Sequence, residues 1–301
     1  MSRVLVCGVA PLPVENTLQN YGPGMRSWQF ARGLTLRGHT VRLVTMRIAN
    51  AYGSRETVRR ERIEGIDVER LNEAEFFDRR EIERRIEDFR PDALVGATIY
   101  GSSALAACRT ELPFWADQFG HVMAEAQARA ALDRDDGVLG YFWHMARQVG
   151  LRADRISTVS ERQRYAAIGE LGALGRLDAA SCGYEYVSVV PCAVVTEPAA
   201  KPAEPVFRGT RVPDDSFVVL WGGSYNVWSD VETLFAGLAA AMAEEPRIHF
   251  VSTGGAVEGH DDRTYPALCE AIARSELRHR FHLDGWVPAE RVHGYVAEAD
   301  L

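Results

Sequence analysis

Strand-length apolar runs alternate with helix-length amphipathic segments along most of the chain. Val4–Val9 is a continuous apolar run, which is typical of a strand that is covered on both faces. Met25–Arg37 carries apolar residues at helical spacing, and Gly38 stands where a helix end favours a left-handed residue. Val41–Thr45 then resumes the strand pattern. The alternation predicts an α/β fold built on doubly wound parallel sheets.

The alternation continues to residue 190 and restarts after a proline-rich stretch. In the first part we predict strands at Asp92–Ala97, Phe114–Ala116, Arg155–Val159 and Val187–Val190, and helices at Ser102–Glu111, Leu139–Arg152 and Glu161–Leu171. In the second part we predict strands at Phe217–Trp221, Ile248–Thr253 and Phe281–Leu283, and helices at Val231–Glu244, Tyr265–Ser275 and Ala289–Ala299.

The proline-rich stretch, residues 196–213, contains four prolines and is predicted to be a linker. It separates an N-terminal Rossmann-like domain, 1–195, from a shorter C-terminal one, 214–301. The second domain has room for only three strand–helix units, so we expect it to be incomplete at its C-terminal end.

Residues 55–90 break the pattern because charged side chains dominate them. Ten arginines stand against twelve acidic residues there, which leaves the segment close to neutral. We interpret it as a solvated helix surface with ion pairs between successive turns. A basic membrane-docking face is the alternative interpretation, and it would allow peripheral membrane contact.

Composition excludes several classes of protein. Among the 301 residues Lys201 is the only lysine, and it lies in the predicted linker, so P-loop and Schiff-base chemistry have no lysine to use. The net charge of -8 argues against a general nucleic-acid binder.

The five cysteines lack C-x-x-C spacing and are expected to be buried free thiols. With no signal peptide and no membrane span predicted, we expect a cytoplasmic protein.

Glycines at the ends of predicted strands are the first candidate chemistry. Gly22 and Gly24 directly precede a helix, where free amides and the helix dipole favour an anion such as a phosphate. No G-x-G-x-x-G follows the first strand, which weighs against a dinucleotide-dependent oxidoreductase. Two further turns, Gly222-Gly223-Ser224 and Gly254-Gly255, lie at the carboxyl ends of strands, where open α/β sheets bind ligands. Ordinary tight turns would explain the same glycines.

Polar residues follow two strands of the first domain in the same way. Asp117 and His121 come after Phe114–Ala116 and could bind a sugar hydroxyl or act in acid–base catalysis, although helix capping would also account for Asp117. Ser160 and Glu161 begin a helix after Val159, where capping alone would explain the serine. No residue pattern indicates a metal site or a bound cofactor.

Several segments, in this order and spacing, resemble glycosyltransferase family 4, the group 1 sugar transferases of GT-B fold. They are Gly22-Pro-Gly-Met, Leu36-Arg-Gly-His-Thr-Val-Arg-Leu-Val-Thr, Arg90-Pro-Asp-Ala-Leu-Val, Ala153-Asp-Arg-Ile-Ser-Thr-Val-Ser, Val189-Val-Pro-Cys, Phe250-Val-Ser-Thr-Gly-Gly and Phe281-His-Leu-Asp-Gly-Trp-Val-Pro. The resemblance implies two Rossmann-like domains that face each other across a cleft. It also implies metal-independent transfer, with retention of configuration, from a nucleotide-sugar donor to a sugar, lipid-linked or small-molecule acceptor.

The resemblance also implies roles for particular residues. The loop of Gly22 and Gly24 would face the donor phosphates, with Asp117 or His121 near the sugar hydroxyls. The turn at Gly254 and Gly255 would approach the nucleotide, and the backbone at Trp286 and Val287 would meet the base.

Two features depart from the family pattern. Ser224 and Ser229 stand where members carry an arginine and a lysine that grip the diphosphate. The family's E-x7-E segment would lie beyond Leu301, so we expect a C-terminally truncated member. A non-catalytic nucleotide-sugar or glycan recognition protein, or a nucleotide-sugar epimerase of the same fold, are the alternative functions.

Overall fold

The computed structural model describes residues 1–15, 17, 21–52, 58–193, 204–257 and 261–301. The chain forms two structural units, Met1–Val194 and Val195–Leu301. Lys201 and the first eight residues of the predicted linker, 196–203, lie outside the described residues.

An eight-stranded sheet forms the framework of the first unit. Its strands are β1 (Arg3–Ala10), β2 (Thr40–Arg47), β3 (Arg60–Ile63), β4 (Ile66–Leu71), β5 (Ala93–Gly96), β6 (Phe114–Gln118), β7 (Arg155–Thr158) and β8 (Val187–Val189). They are ordered β3-β4-β2-β1-β5-β6-β7-β8, and only β3 runs antiparallel to its neighbour. The predicted parallel sheet is therefore confirmed, with one antiparallel edge strand.

Helices cover both faces of this sheet. They are α1 (Gly22–Leu36), α2 (Glu73–Phe77), α3 (Arg79–Phe89), α4 (Thr98–Ala106), α5 (Val122–Asp133), α6 (Gly137–Arg152) and α7 (Glu161–Ala173). Because side chains alternate along a strand, β1 serves two cores. Val4 and Val6 pack with Trp28 of α1, whereas Leu5 and Cys7 lie in the other core with Leu105 of α4.

The helical pattern of α1 located the helix and part of its buried face, since Trp28 and Ala31 are buried. Met25 and Leu36, predicted on the apolar side, are exposed to 39% and 73%, whereas Arg26 and Ser27 are buried. Arg26 can be buried because it donates hydrogen bonds to polar groups at the strand ends, Asp117 and the Val190 carbonyl. The predicted apolar side is therefore right at Trp28 and Ala31 and wrong at Met25 and Leu36.

The charged segment 55–90 was also predicted incompletely. Its described part contains the hairpin of β3 and β4 before the helices α2 and α3. Glu69 and Arg85 are buried there and bind each other at 2.6 Å between Oε1 and Nη2. Charges that neutralise each other inside the fold look the same in a sequence as charges that face water, which is why the strands were missed.

The second unit contains a parallel sheet of three strands in its described part. These are β9 (Phe217–Gly222), β10 (Ile248–Thr253) and β11 (Phe281–Leu283), ordered β11-β10-β9, and the helices are α8 (Val231–Glu244), α9 (Thr264–Ala273) and α10 (Ala289–Glu298). Phe250 packs with α8 and α9, whereas Val251 points to the opposite core with Tyr295 of α10. This sheet is also covered on both faces.

Residues 204–213, the described end of the predicted linker, pack into the second unit. Phe207 and Val212 are buried with Tyr295, and the Glu298 carboxylate accepts bonds from the amides of residues 206–208. The domain boundaries themselves stay a prediction.

The five cysteines differ in burial. Cys7 and Cys108 are buried, but Cys182 and Cys192 are exposed, so burial of all five thiols was wrong. Burial raises the pKa of the Cys108 thiol to about 12. In the part of the chain that the structure describes, no helix is long and apolar enough to cross a bilayer.

Candidate functional site

The connectivity of the first sheet reverses at β1. Strand β1 lies between β2 and β5, and the chain winds outward from it in both directions. At such a reversal a crevice opens outside the carboxyl ends of the two central strands, and open α/β sheets bind ligands there. Helices α1 and α4 both begin at this edge, after β1 and β5 respectively.

Helix α1 begins with the predicted glycine loop. Gly22 is its first residue, no side chain caps it, and its first turn carries no acidic residue. A Cβ at Gly24 would lie 1.9 Å from the carbonyl oxygen of Pro11, so only glycine fits between the helix and the segment after β1. The structure therefore gives Gly24 a packing role, and anion binding by the first amides of α1 stays a prediction.

Asp117 lies at the end of β6, and its side chain is fully buried. Arg26 of α1 binds it in two places, Nε to Oδ2 at 3.0 Å and Nη2 to Oδ1 at 2.8 Å. Ser157 of β7 donates a third bond to Oδ1 at 2.6 Å. Both carboxylate oxygens thus have protein partners.

Arg26 was not singled out in the sequence. Its Nη1 donates to the Pro191 carbonyl oxygen and its Nη2, which also binds Asp117, donates to the Val190 carbonyl oxygen, at 2.7 Å each, just after β8. Its guanidinium also lies over the ring of Phe30, 4.7 Å from the centroid. An arginine beside a glycine loop has no local signature of burial, because its hydrogen-bond partners come from two strand ends that are distant in sequence.

His121 is the more accessible of the two predicted catalytic residues, with a third of its side chain exposed. Its Nδ1 accepts the amide of Ala124 at 3.2 Å and so caps α5, while Nε2 lies 3.2 Å from a carboxylate oxygen of Glu170. Glu125, in the first turn of α5, has its pKa raised by desolvation. The imidazole is held in place by the cap and remains in reach of solvent.

Ser160 and Glu161 begin α7. The Ser160 hydroxyl accepts the amide of Gln163 at 3.3 Å, and Glu161 pairs with Arg164 at 3.3 Å. Helix capping accounts for Ser160 and the ion pair for Glu161, and donor binding by these two residues stays a prediction.

Thr98, the first residue of α4, was also missed. Its φ is +68°, a region that β-branched residues rarely adopt. The residue is 4% exposed, and its hydroxyl has no hydrogen-bond partner among the described residues. No sequence signal marks it, because the strain belongs to the turn between β5 and α4.

Three glycine turns meet at the carboxyl edge of the second sheet. Gly223, Gly254 and Gly285 follow β9, β10 and β11, and their φ angles are +130°, +100° and +65°. The Gly223 amide donates to the Thr253 carbonyl at 3.0 Å, and the Gly254 amide to the Gly285 carbonyl at 2.6 Å. A Cβ at Gly254 would lie 2.0 Å from the Gly223 oxygen. Along this edge Gly222 and Gly223 are exposed, whereas Gly254 and Gly255 are buried.

The residues beside these turns are fixed by their own bonds. The Trp286 indole donates to the Ala256 carbonyl at 3.1 Å and lies against Gly255, and Val287 packs on the core that contains Tyr295. Ser229 bonds within its own turn, to the amide and side chain of Asn226 at 3.2 and 3.3 Å. Ser224 is half-buried between Gly223 and Tyr225.

Comparison with known proteins now bears on this geometry. The sequence profile described as Glycosyltransferase Family 4 matches residues 22–186, more than half of the chain. The chain belongs to Glycosyltransferase Family 4. Among curated proteins no sequence matches this family member significantly.

Solved structures show that this member of Glycosyltransferase Family 4 has the GT-B fold. Sucrose-phosphate synthase from Thermosynechococcus elongatus superposes with a TM-score of 0.69 at 12% identity, covering 100% of this chain and 74% of the other. HepE of Anabaena, in complex with UDP-glucose, gives 0.61 at 12% identity, with 100% and 72% coverage. The catalytic domain of Starch Synthase IV from Arabidopsis thaliana, bound to ADP and acarbose, gives 0.62 at 12%, with 99% and 77% coverage. The predicted fold of two Rossmann-like domains is confirmed.

Proposed function

We propose that the protein transfers a sugar from a nucleotide-sugar donor to a hydroxylated acceptor. The observation that carries the proposal is the row of glycine turns at Gly223, Gly254 and Gly285 in a member of this family. The exposed backbone at Gly222 and Gly223, at the carboxyl end of a parallel strand, suits a nucleotide diphosphate, which needs close approach to the main chain. Solved structures of the same fold have been obtained with UDP-glucose and with ADP, which supports this class of donor.

Within this proposal the Asp117 carboxylate and the His121 imidazole have different roles. Asp117 is a positioning residue, because Arg26 and Ser157 occupy its oxygens inside the fold. His121 is the residue that meets the donor sugar, because its ring is fixed by the helix cap and partly exposed. We assign the first amides of α1, at Gly22 and Gly24, to the leaving phosphates, because no side chain caps this helix among the described residues.

Stabilisation of the leaving diphosphate has to come from arginines, backbone amides and helix ends. No lysine lies in the described residues, and Ser224 and Ser229 carry no charge. Fixed dipoles aimed at developing charge lower the barrier to group transfer without a metal. We therefore propose metal-independent transfer that retains the configuration at the anomeric carbon.

A recognition protein without catalysis is the second candidate. It is favoured by Ser229, whose hydroxyl is engaged in its own turn rather than offered to a ligand. Such a protein would keep the glycine turns and the donor affinity but would not break the glycosidic bond to the diphosphate.

Calorimetry and NMR test the proposal together. We expect calorimetry to show binding of one of UDP-, GDP- and ADP-glucose. We expect NMR to show slow hydrolysis of that donor, at a rate that EDTA leaves unchanged. The sugar should be released first as the retained anomer. Binding with no hydrolysis over days supports the recognition protein instead. A donor sugar epimerised in place indicates an epimerase, and no binding of any donor contradicts both proposals.

A further inference from the structure

Three unfavourable features coincide at the start of α4. Thr98 has a strained backbone with φ +68°, and its buried hydroxyl lacks a partner in the described structure. The preceding residue, Ala97, offers no side-chain cap, and the first turn contains no acidic residue. Strain and unpaired buried polar groups persist where the surrounding fold imposes them, and they concentrate at ligand sites.

The position of this turn is the second part of the argument. It follows β5, which pairs with β1 at the reversal of the sheet, so α4 begins at the edge where ligands of such sheets bind. The Ala97 amide is already used by the Cys7 carbonyl at 2.8 Å. The next amides, at Thr98, Ile99 and Tyr100, have no partner inside the helix.

We propose that the N-terminus of α4 binds an oxyanion, a phosphate or carboxylate, that the sugar acceptor carries. The groups gathered there are hydrogen-bond donors, namely backbone amides and the Thr98 hydroxyl. The positive end of the helix dipole lies at the same place. An oxyanion accepts from all of them at once, whereas a neutral hydroxyl has fewer lone pairs and gains nothing from the dipole. Only the assignment to the acceptor rests on the proposed function.

The amide of Tyr100 provides a direct probe of this site. In protein labelled with 15N-tyrosine, a Tyr100→Phe variant assigns its resonance, and Tyr225 in the second unit is assigned in the same way. Four probes are titrated separately: inorganic phosphate, glucose 6-phosphate, glucuronate and glucose. The two charged sugars distinguish a phosphate from a carboxylate, and glucose is their neutral counterpart.

Substitutions at Thr98 separate the hydroxyl from the shape of the side chain. Thr98→Val removes the donor and keeps the branching, whereas Thr98→Ser keeps the donor. Thr35→Val is the matched control, because the Thr35 hydroxyl bonds within α1 to the Ala31 carbonyl at 2.9 Å. We expect saturable shifts of Tyr100 with phosphate or one charged sugar in the wild type, Thr98→Ser and Thr35→Val. In Thr98→Val the apparent Kd should rise about tenfold.

The inference is overturned if none of the charged probes shifts Tyr100, if glucose shifts it equally, or if Thr98→Val binds as tightly as the wild type. UDP, GDP and ADP are titrated in parallel and observed at Tyr225, whose amide donates to the Gly255 carbonyl beside the glycine turns. A nucleotide response without an oxyanion response contradicts this inference alone. The reverse result contradicts the donor proposal and leaves the oxyanion site standing.

Discussion

Arg26 and Asp117 form a buried, two-pronged ion pair that joins α1 to the end of β6. The guanidinium is 3% exposed and the carboxylate 0%, and Arg26 also binds the carbonyls at the end of β8. One arginine thereby sets the position of the glycine loop relative to two strand ends. Charges at this depth are tolerated because every nitrogen and oxygen has a partner.

Removing one member of this pair should destabilise the first unit strongly. Arg26→Met leaves Asp117 buried with only Ser157, and we expect the free energy of unfolding to fall by about 3–5 kcal/mol. Urea denaturation followed by circular dichroism measures it. Arg32→Met is the control, since Arg32 on the same helix pairs with Glu64 in solvent and should cost less than about 1 kcal/mol. Equal effects of the two substitutions would show that the buried pair has no special role.

Substitution of two glycines of α1 by alanine should change the stability of the protein in opposite directions. At Gly24 a Cβ meets the Pro11 carbonyl at 1.9 Å, whereas at Gly33 nothing lies within 4 Å. Gly24→Ala should destabilise by about 1–3 kcal/mol through displacement of the backbone. Gly33→Ala should stabilise by about 0.5–1 kcal/mol through helix propensity. Thermal denaturation of the two variants decides the matter, and a stabilised Gly24→Ala would be the contrary result.

The turn at Gly254 should be essential for donor binding. Alanine there would need a φ near +100° and would place its Cβ 2.0 Å from the Gly223 oxygen. We expect Gly254→Ala to cost about 1–3 kcal/mol and to weaken donor affinity at least about tenfold. Gly237→Ala, in the middle of α8 with open space around it, is the matched control. Calorimetric titration of both variants with the donor compares them, and unchanged affinity in Gly254→Ala argues against the glycine edge as the donor site.

The function of His121 can be separated from its structural role. Asparagine is a good N-cap, so His121→Asn should preserve α5 and change stability by less than about 0.5 kcal/mol. Without the imidazole we expect donor turnover to fall by at least about tenfold with little change in donor Kd. Turnover assays and calorimetry on one preparation measure both quantities. Wild-type turnover in this variant would remove His121 from the site.

Stability should decline in mild acid because of a histidine pair in the second unit. His249 on β10 stacks on His282 of β11, with Nδ1 and Nε2 3.1 Å apart. Burial, together with nearby cationic groups, lowers the pKa of both rings from the ordinary value of 6.5. The unfolded chain therefore binds more protons as pH falls below about 6.5, and the free energy of unfolding decreases there.

The matched variant for this pair is His249→Phe, which keeps an aromatic ring on His282. We expect its loss of stability between pH 7 and about 5.5 to be smaller than that of the wild type, as measured by urea denaturation at each pH. An equal loss in both proteins would place the acid sensitivity elsewhere.

The sequence predicted the elements with a clear apolar period, and it failed where charge hid the period. Val4–Val9 and Phe217–Trp221 were correctly predicted as strands because buried parallel strands are apolar throughout. The hairpin of β3 and β4 was missed because its strands carry many charged residues, among them the buried Glu69, which pairs with the exposed Arg60 and with the buried Arg85 of α3. For the same reason the buried face of α1 was predicted without Arg26.

The sequence by itself determined the α/β class, the family and the glycines at the strand ends, because those depend on local period and on motifs in order. Only the tertiary structure decided that Asp117 is bound by Arg26, that Thr98 is strained with an unpaired hydroxyl, and that Gly254 lies against Gly223. These relationships join residues on separate strands and turns. They arise from how the sheet edges bring the chain together, which no local pattern of residues encodes.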